Sequence, residues 1–275
     1  MERYTLGLSS CPNDTFIFHA LLHGLVPVPF QVEPYMADVE ELNACVLAGQ
    51  LPFSKISLGC VPFCQKDYAL LCAGAALGFG NGPLVVAKKE PDEELFAKGT
   101  LAIPGTKTTA NLLVHLTKRF QGECIPMLFS DIIPAVCRGD VDFGVIIHEG
   151  RFTYKEHGLN LVLDLGAWWE EHFAVPLPLG AICVRRDIPK AHAKAMEEAI
   201  AHSLAYAWEH PAVSRPYIQS HAQELADTVI SAHIKTFVTS FSQNLGDVGK
   251  GAIEALVAAG KSLHGIEERA PLFLD

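Results

Sequence analysis

Tyr4-Thr5-Leu6-Gly7-Leu8-Ser9-Ser10-Cys11-Pro12-Asn13-Asp14-Thr15-Phe16 is the stretch whose reading decides the fold. The apolar residues 4–8 predict a strand, and Pro12 opens a helix that runs to residue 22 and stops at Gly24. Asp14 falls in the first turn of that helix, where a negative side chain complements the positive end of the dipole. A strand that feeds straight into a helix leaves backbone N–H groups without partners at one spot, and such a spot holds carboxylates, phosphates or polarised hydroxyls. Asn13 and Asp14 therefore have two readings, as contacts to a polar ligand or as residues that only cap and charge the helix.

The same order recurs downstream. Residues 30–33 predict a strand, 39–47 a helix ended by Gly49, and 51–58 an extended segment with Phe53, Lys55 and Ser57 on one face. Alternating strands and helices predict an α/β fold with a mostly parallel sheet, whose ligands collect beyond the carboxyl ends of the strands. Residues 82–89 and 179–186 are each an apolar strand closed by two cations, and they are read as two hinge strands crossing side by side between lobes. On that reading residues 1–87 with 179–275 form a discontinuous first lobe, which carries the C-terminal helices, and residues 88–178 an inserted second lobe.

The inserted segment has its own strand-to-helix turn, Pro104-Gly105-Thr106-Lys107-Thr108-Thr109-Ala110. It lacks the glycine that a phosphate loop needs five residues before its Gly-Lys-Ser/Thr end, so nucleotide binding does not follow. Thr108 and Thr109 have two readings, as hydroxyl donors to a ligand with helix amides behind them or as an N-cap that only caps the helix. A helix over 131–138 and a strand over 141–147 come next, and the strand delivers His148 at its carboxyl end. An imidazole titrates near pH 6.5, which suits it to take a proton at neutral pH. His148-Glu149 does not begin a zinc-protease motif, because position 152 is Phe where that motif needs His. Trp168 and Trp169 have two readings, as packing at the lobe interface or as a wall for an aromatic ligand.

Hydrophobic residues make up 49%, charged residues 19%, and the net charge is -10, which argues against a phosphate-backbone binder; no nucleic acid partner is expected. No run approaches the roughly 20 apolar residues that cross a bilayer, and the first residues lack the basic and apolar regions of a secretory signal. A cytoplasmic protein without membrane insertion is expected. The eight cysteines lie in apolar contexts and read as core residues, and Cys60 with Cys64 lacks the second ligand pair of a zinc site, so no metal is expected.

Ser10-Cys11-Pro12-Asn13-Asp14-Thr15-Phe16, Ile146-Ile147-His148-Glu149, Arg151-Phe152-Thr153-Tyr154 and Asp164-Leu165-Gly166-Ala167-Trp168-Trp169-Glu170 together resemble the 1,4-dihydroxy-6-naphthoate synthase family of the futalosine route to menaquinone. The similarity covers nearly the whole chain, although the first motif alone also fits the chorismate dehydratases of the same pathway. The resemblance implies a two-lobed fold like that of type II periplasmic binding proteins, reused as a cytoplasmic enzyme. It implies a cofactor-independent carbon–carbon lyase that releases 1,4-dihydroxy-6-naphthoate from the small-molecule substrate cyclic dehypoxanthine futalosine. It further implies that His148 is the catalytic base, with substrate contacts at Lys55, Ile56 and Ser57 on the first lobe and at Thr109 and Ala110 on the second. A chorismate dehydratase and a non-catalytic small-molecule binding protein of the same fold are the alternatives, and a homodimer is left open.

Overall fold

Leu6 and Leu8 have no exposed surface, so the first strand, Arg3–Leu8, must run inside a sheet. It is flanked by two parallel neighbours, Gln31–Met36 and Phe53–Ser57. Phe53–Ser57 is buried at every position, as a strand covered on both faces must be. The computed structural model of the chain describes residues 2–90, 92–222 and 226–274. The first sheet is completed by the long strand Leu177–Arg185, antiparallel to Phe53–Ser57, and by the short strands Tyr68–Leu70 and Ala76–Gly78 paired to its other edge.

The second sheet has the order Asn160–Asp164, Leu84–Ala87, Phe143–Ile146, Thr100–Ile103, Glu123–Pro126. Leu84–Ala87 is antiparallel to both of its neighbours, whereas Thr100–Ile103 is parallel to both of its own. Both sheets are therefore mixed, where strand–helix alternation alone had predicted a mostly parallel one. The two-lobed α/β architecture stands.

The crossings lie elsewhere than the sequence suggests. Leu84–Ala87 hydrogen-bonds wholly within the second sheet, so the first crossing precedes it and occupies the loop after Gly78, not residues up to 87. Leu177–Arg185 stays within the first sheet from its first residue, so the return crossing comes before it, through the helix Leu165–Phe173. Apolar runs closed by cations announce strands but not which sheet will pair with them. The two crossings meet at Gly82 and Gly166, where a Cβ on Gly82 would lie 2.2 Å from the Cα of Gly166. No side chain fits between these backbones.

The helix Pro12–Leu22 is buried from Pro12 through Leu21, on all of its sides. A helix covered all round needs partners all round. The C-terminal helices Lys190–Glu209, Pro211–His221 and Asp227–Phe237 supply them, packing on the first lobe through Met196, Ile200, Leu204, Ile218 and Ile230. The last helix, Gly246–His264, departs from that pattern because it also touches the second lobe: Ile253, Leu256 and Val257 share a core with Leu112, Leu113 and Val114. That core continues through Ile56 and Leu77 of the first sheet, Val85 and Leu101 of the second, and the fully buried Trp169. Trp169 stacks on Phe173 at 3.9 Å and its indole N–H donates to the Pro176 carbonyl, so it packs the lobe interface and does not wall the cleft.

Gly82→Ala is expected to destabilise the protein by about 1–3 kcal/mol, the usual cost of forcing a methyl group into close-packed surroundings. Chemical denaturation measures it, and an unchanged midpoint would show that the two crossings separate freely.

Candidate active site

Asp14 is the chemical anchor of the cleft floor. It has no exposed surface, and a buried carboxylate is tolerated only when charge and hydrogen bonds replace lost water. Its Oδ1 accepts from Lys55 Nζ at 2.5 Å and from Asn13 Nδ2 at 2.8 Å. Its Oδ2 accepts from the Ser9 hydroxyl at 2.8 Å and the Ser9 amide at 3.2 Å. Asp14 thus lies beneath the residues that line the cavity, with both carboxylate oxygens engaged inside the first lobe. Asn13, Lys55 and Ser9 do line the cavity, each oriented by Asp14.

A cavity of about 90 Å³ lies between the lobes. From the first lobe it is faced by Ile56 and Ser57 at the end of Phe53–Ser57. The Ser57 amide donates to Asn43 Oδ1 at 3.0 Å, and its hydroxyl has no partner among the described residues. From the second lobe the cavity is faced by Thr108, Thr109 and Ala110 at the start of the helix Thr109–Thr117. Here the expected hydroxyl donors are occupied. Thr108 Oγ1 accepts from the Asn111 amide and donates to the Gly105 carbonyl, a helix cap. Thr109 Oγ1 donates to the Leu179 carbonyl at 2.6 Å and accepts from the Gly59 amide at 3.1 Å, which ties the second lobe to the first. What this turn offers a ligand is backbone: the amides of Thr109 and Ala110, in the first helical turn, have no partner among the described residues.

His148 stands on the same cavity, just beyond the strand Phe143–Ile146. Its φ of 52° is a left-handed conformation that costs a non-glycine residue energy and is found where surrounding structure imposes it. The ring is held by an edge contact to Phe129 at 4.8 Å and lies parallel to His233 at 6.0 Å. Its Nδ1 is 3.3 Å from Cys11 Sγ, which leaves Nε2 as the nitrogen free to meet a ligand. Burial lowers the His148 pKa, partly offset by the Glu149, Asp14 and Asp38 carboxylates. Burial also pushes the Cys11 thiol well above its ordinary value. The two groups therefore form a neutral thiol–imidazole pair, not a thiolate nucleophile.

Arg151, one turn beyond His148, lines the cavity and donates to the Gly82 carbonyl at the crossing. Asn13, Lys55, Ile56, Ser57, Thr108, Thr109, Ala110 and His148 are thus brought together as the sequence suggests, with Asp14 behind them. Arg151, Cys11 as a partner of the imidazole, and His233 are the residues whose placement the sequence does not reveal. Cys11 and Arg151 lie inside the motifs quoted above and had that much signal, whereas His233 had none.

A family model described as menaquinone biosynthesis matches residues 4–262. The 1,4-dihydroxy-6-naphthoate synthase of Thermus thermophilus is 47% identical over 259 residues, 94% of each chain. A crystal structure of an Archaeoglobus fulgidus protein superposes with a TM-score of 0.90 at 31% identity, covering 96% of this chain and 98% of that one. The periplasmic aliphatic sulphonate binding protein of Escherichia coli superposes with a TM-score of 0.67 at 11% identity over 99% of this chain and 91% of its own. At that identity the likeness is one of fold, a periplasmic-binding-protein fold.

Lys55→Met leaves the Asp14 carboxylate buried without its cation, and a loss of about 3–5 kcal/mol in unfolding free energy is expected. Urea denaturation tests it; a loss below about 1 kcal/mol would mean that hydrogen bonds alone suffice to hold the carboxylate.

Proposed function

The chain belongs to the 1,4-dihydroxy-6-naphthoate synthase family of menaquinone biosynthesis, and we propose that its cleft converts cyclic dehypoxanthine futalosine to 1,4-dihydroxy-6-naphthoate with His148 as the general base. The observation that carries this reading is the His148 imidazole on a cavity between two lobes, with Nδ1 beside Cys11 Sγ and Nε2 open, so that a ring protonated at Nδ1 and donating to the sulfur presents a basic Nε2. The chemistry asks for little more. Removing one acidic proton sends the C–H electron pair into the ring being aromatised; the bond to the departing fragment breaks with its electron pair leaving on that fragment, which takes up a proton in place of the one removed, so there is no net redox change. One base and fixed donors for the developing charge suffice.

The donors at hand are the Ser57 hydroxyl, the Asn13 carboxamide and the Thr109 and Ala110 amides. A naphthoate carries a carboxylate, and the Arg151 guanidinium together with the helix amides makes this wall of the cleft positive. Lobe contacts that exclude water strengthen each of these interactions. All eight cysteines are free, which suits the reducing cytoplasm we assign to the reaction.

His148→Asn keeps a polar group of similar reach but removes the base, and kcat is expected to fall by about 10²–10⁴. The assay incubates native and variant proteins separately with cyclic dehypoxanthine futalosine and with chorismate. Near-normal turnover by the variant would remove His148 from the role, and turnover of chorismate alone would replace the substrate.

The pH dependence has a definite sign. A lowered pKa means that His148 remains unprotonated, and so competent as a base, to more acidic pH than an ordinary histidine. The acid limb of kcat/KM is expected to have its midpoint below about 6.5, the unperturbed imidazole value. A midpoint above neutrality would contradict the assignment.

A further inference from the structure

His233 is fully buried beside the cleft, in the helix Asp227–Phe237, and the reaction described above does not use it. Its hydrogen bonding is nevertheless dictated by a chain of polar groups that starts at Lys55. An ammonium only donates and a carboxylate only accepts, so Lys55 donates to Asp14. Asp14 in turn obliges the Asn13 carboxamide to present its amino group, which reaches Oδ1 at 2.8 Å. The carbonyl of Asn13 must then point the other way, where His233 Nε2 lies at 3.0 Å. Nε2 has to be the donor, and His233 Nδ1 is buried without a partner among the described residues. Burial and the neighbouring His148 and Lys55 hold the His233 pKa well below its usual value, so the ring is neutral. A neutral histidine with a bare buried Nδ1 is an unfavourable choice for packing alone, since an apolar ring would leave nothing unsatisfied.

We propose that His233 is a positioning residue: its Nε2–H locks the Asn13 carboxamide so that the amino group, not the carbonyl, is turned to Asp14 and the cleft. Asn13 lines the cavity, and one of its two amide hydrogens goes to Asp14. The second is left for an acceptor oxygen of the substrate. Without His233 the side-chain carbonyl of Asn13 loses the hydrogen bond it has among the described residues, and the amide is free to turn. The kinetic consequence rests on the substrate reading given above, but the bonding pattern does not.

The test has one arm for each. In ¹⁵N-histidine NMR of the native protein, His233 is expected as a neutral ring protonated at Nε2 and bare at Nδ1, its signals assigned by their absence from His233→Gln. A cationic ring, or a proton on Nδ1, overturns the proposal whatever the substrate proves to be. In steady-state kinetics His233→Phe, which keeps a ring but no donor, is expected to raise KM about tenfold with kcat within about threefold. His233→Gln, which can supply an N–H, is expected to restore KM to within about threefold of native, and His233→Phe added to Asn13→Ala to cost nothing further. Equal losses for the Phe and Gln variants, or additive losses with Asn13→Ala, overturn it.

Discussion

The buried carboxylate of Asp14 is the constraint on which the site depends. It sits at the positive end of the helix Pro12–Leu22 with no exposed surface, and only donors can surround it. Lys55, Asn13 and Ser9 are those donors, and all three reach the cavity from that common anchor. Breaking such a pair is far more costly than never having built it, because the surviving charge has no water to turn to. The first lobe therefore offers a floor with little freedom to rearrange.

The second lobe is registered against that floor by hydrogen bonds across the boundary, most of them with backbone on one side. Thr109 bonds to Leu179 and Gly59, and Glu40 accepts from the Thr106 hydroxyl and the Lys107 amide. Glu40 also accepts from Asn43, whose own carbonyl holds the Ser57 amide, so the loop of one lobe is linked to the strand end of the other. Gly59 approaches so closely that a Cβ there would stand 2.7 Å from the Thr108 carbonyl oxygen. Together with the core shared across the boundary, these bonds describe two lobes in contact. His148 lines the same cavity, with Nδ1 beside Cys11 Sγ and its pKa lowered by burial, which is what the proposed role as a base asks of it.

Much of this was legible before folding. The turn at Cys11–Asn13, the turn at Thr108–Ala110 and the strand end at His148 were each found from local pattern, and the structure brings all three to one cavity. Other features depend on partners that local pattern does not contain. Thr108 and Thr109 carry hydroxyls in the right place, yet the partners that occupy them, Gly105 nearby and Leu179 and Gly59 far off, are products of folding. Leu84–Ala87 was recognised as a strand but assigned to the wrong sheet, since an apolar run satisfies either one. His233 lies 220 residues from Asn13, beyond the reach of any local pattern.

The sequence by itself determined the junctions, where strands give way to helices and backbone amides are released, because spacing, proline and glycine act within a few residues. It also determined the chemical types available there: a carboxylate, a lysine, hydroxyls and one imidazole at a strand end. Only the tertiary structure decided which of those groups remain free. A donor already satisfied by a distant carbonyl has nothing left for a ligand, and a histidine acts as a base only where its surroundings keep it unprotonated and one nitrogen open. Both conditions are set by partners that meet in the folded chain, Leu179 and Gly59 at Thr109 and Cys11 at His148.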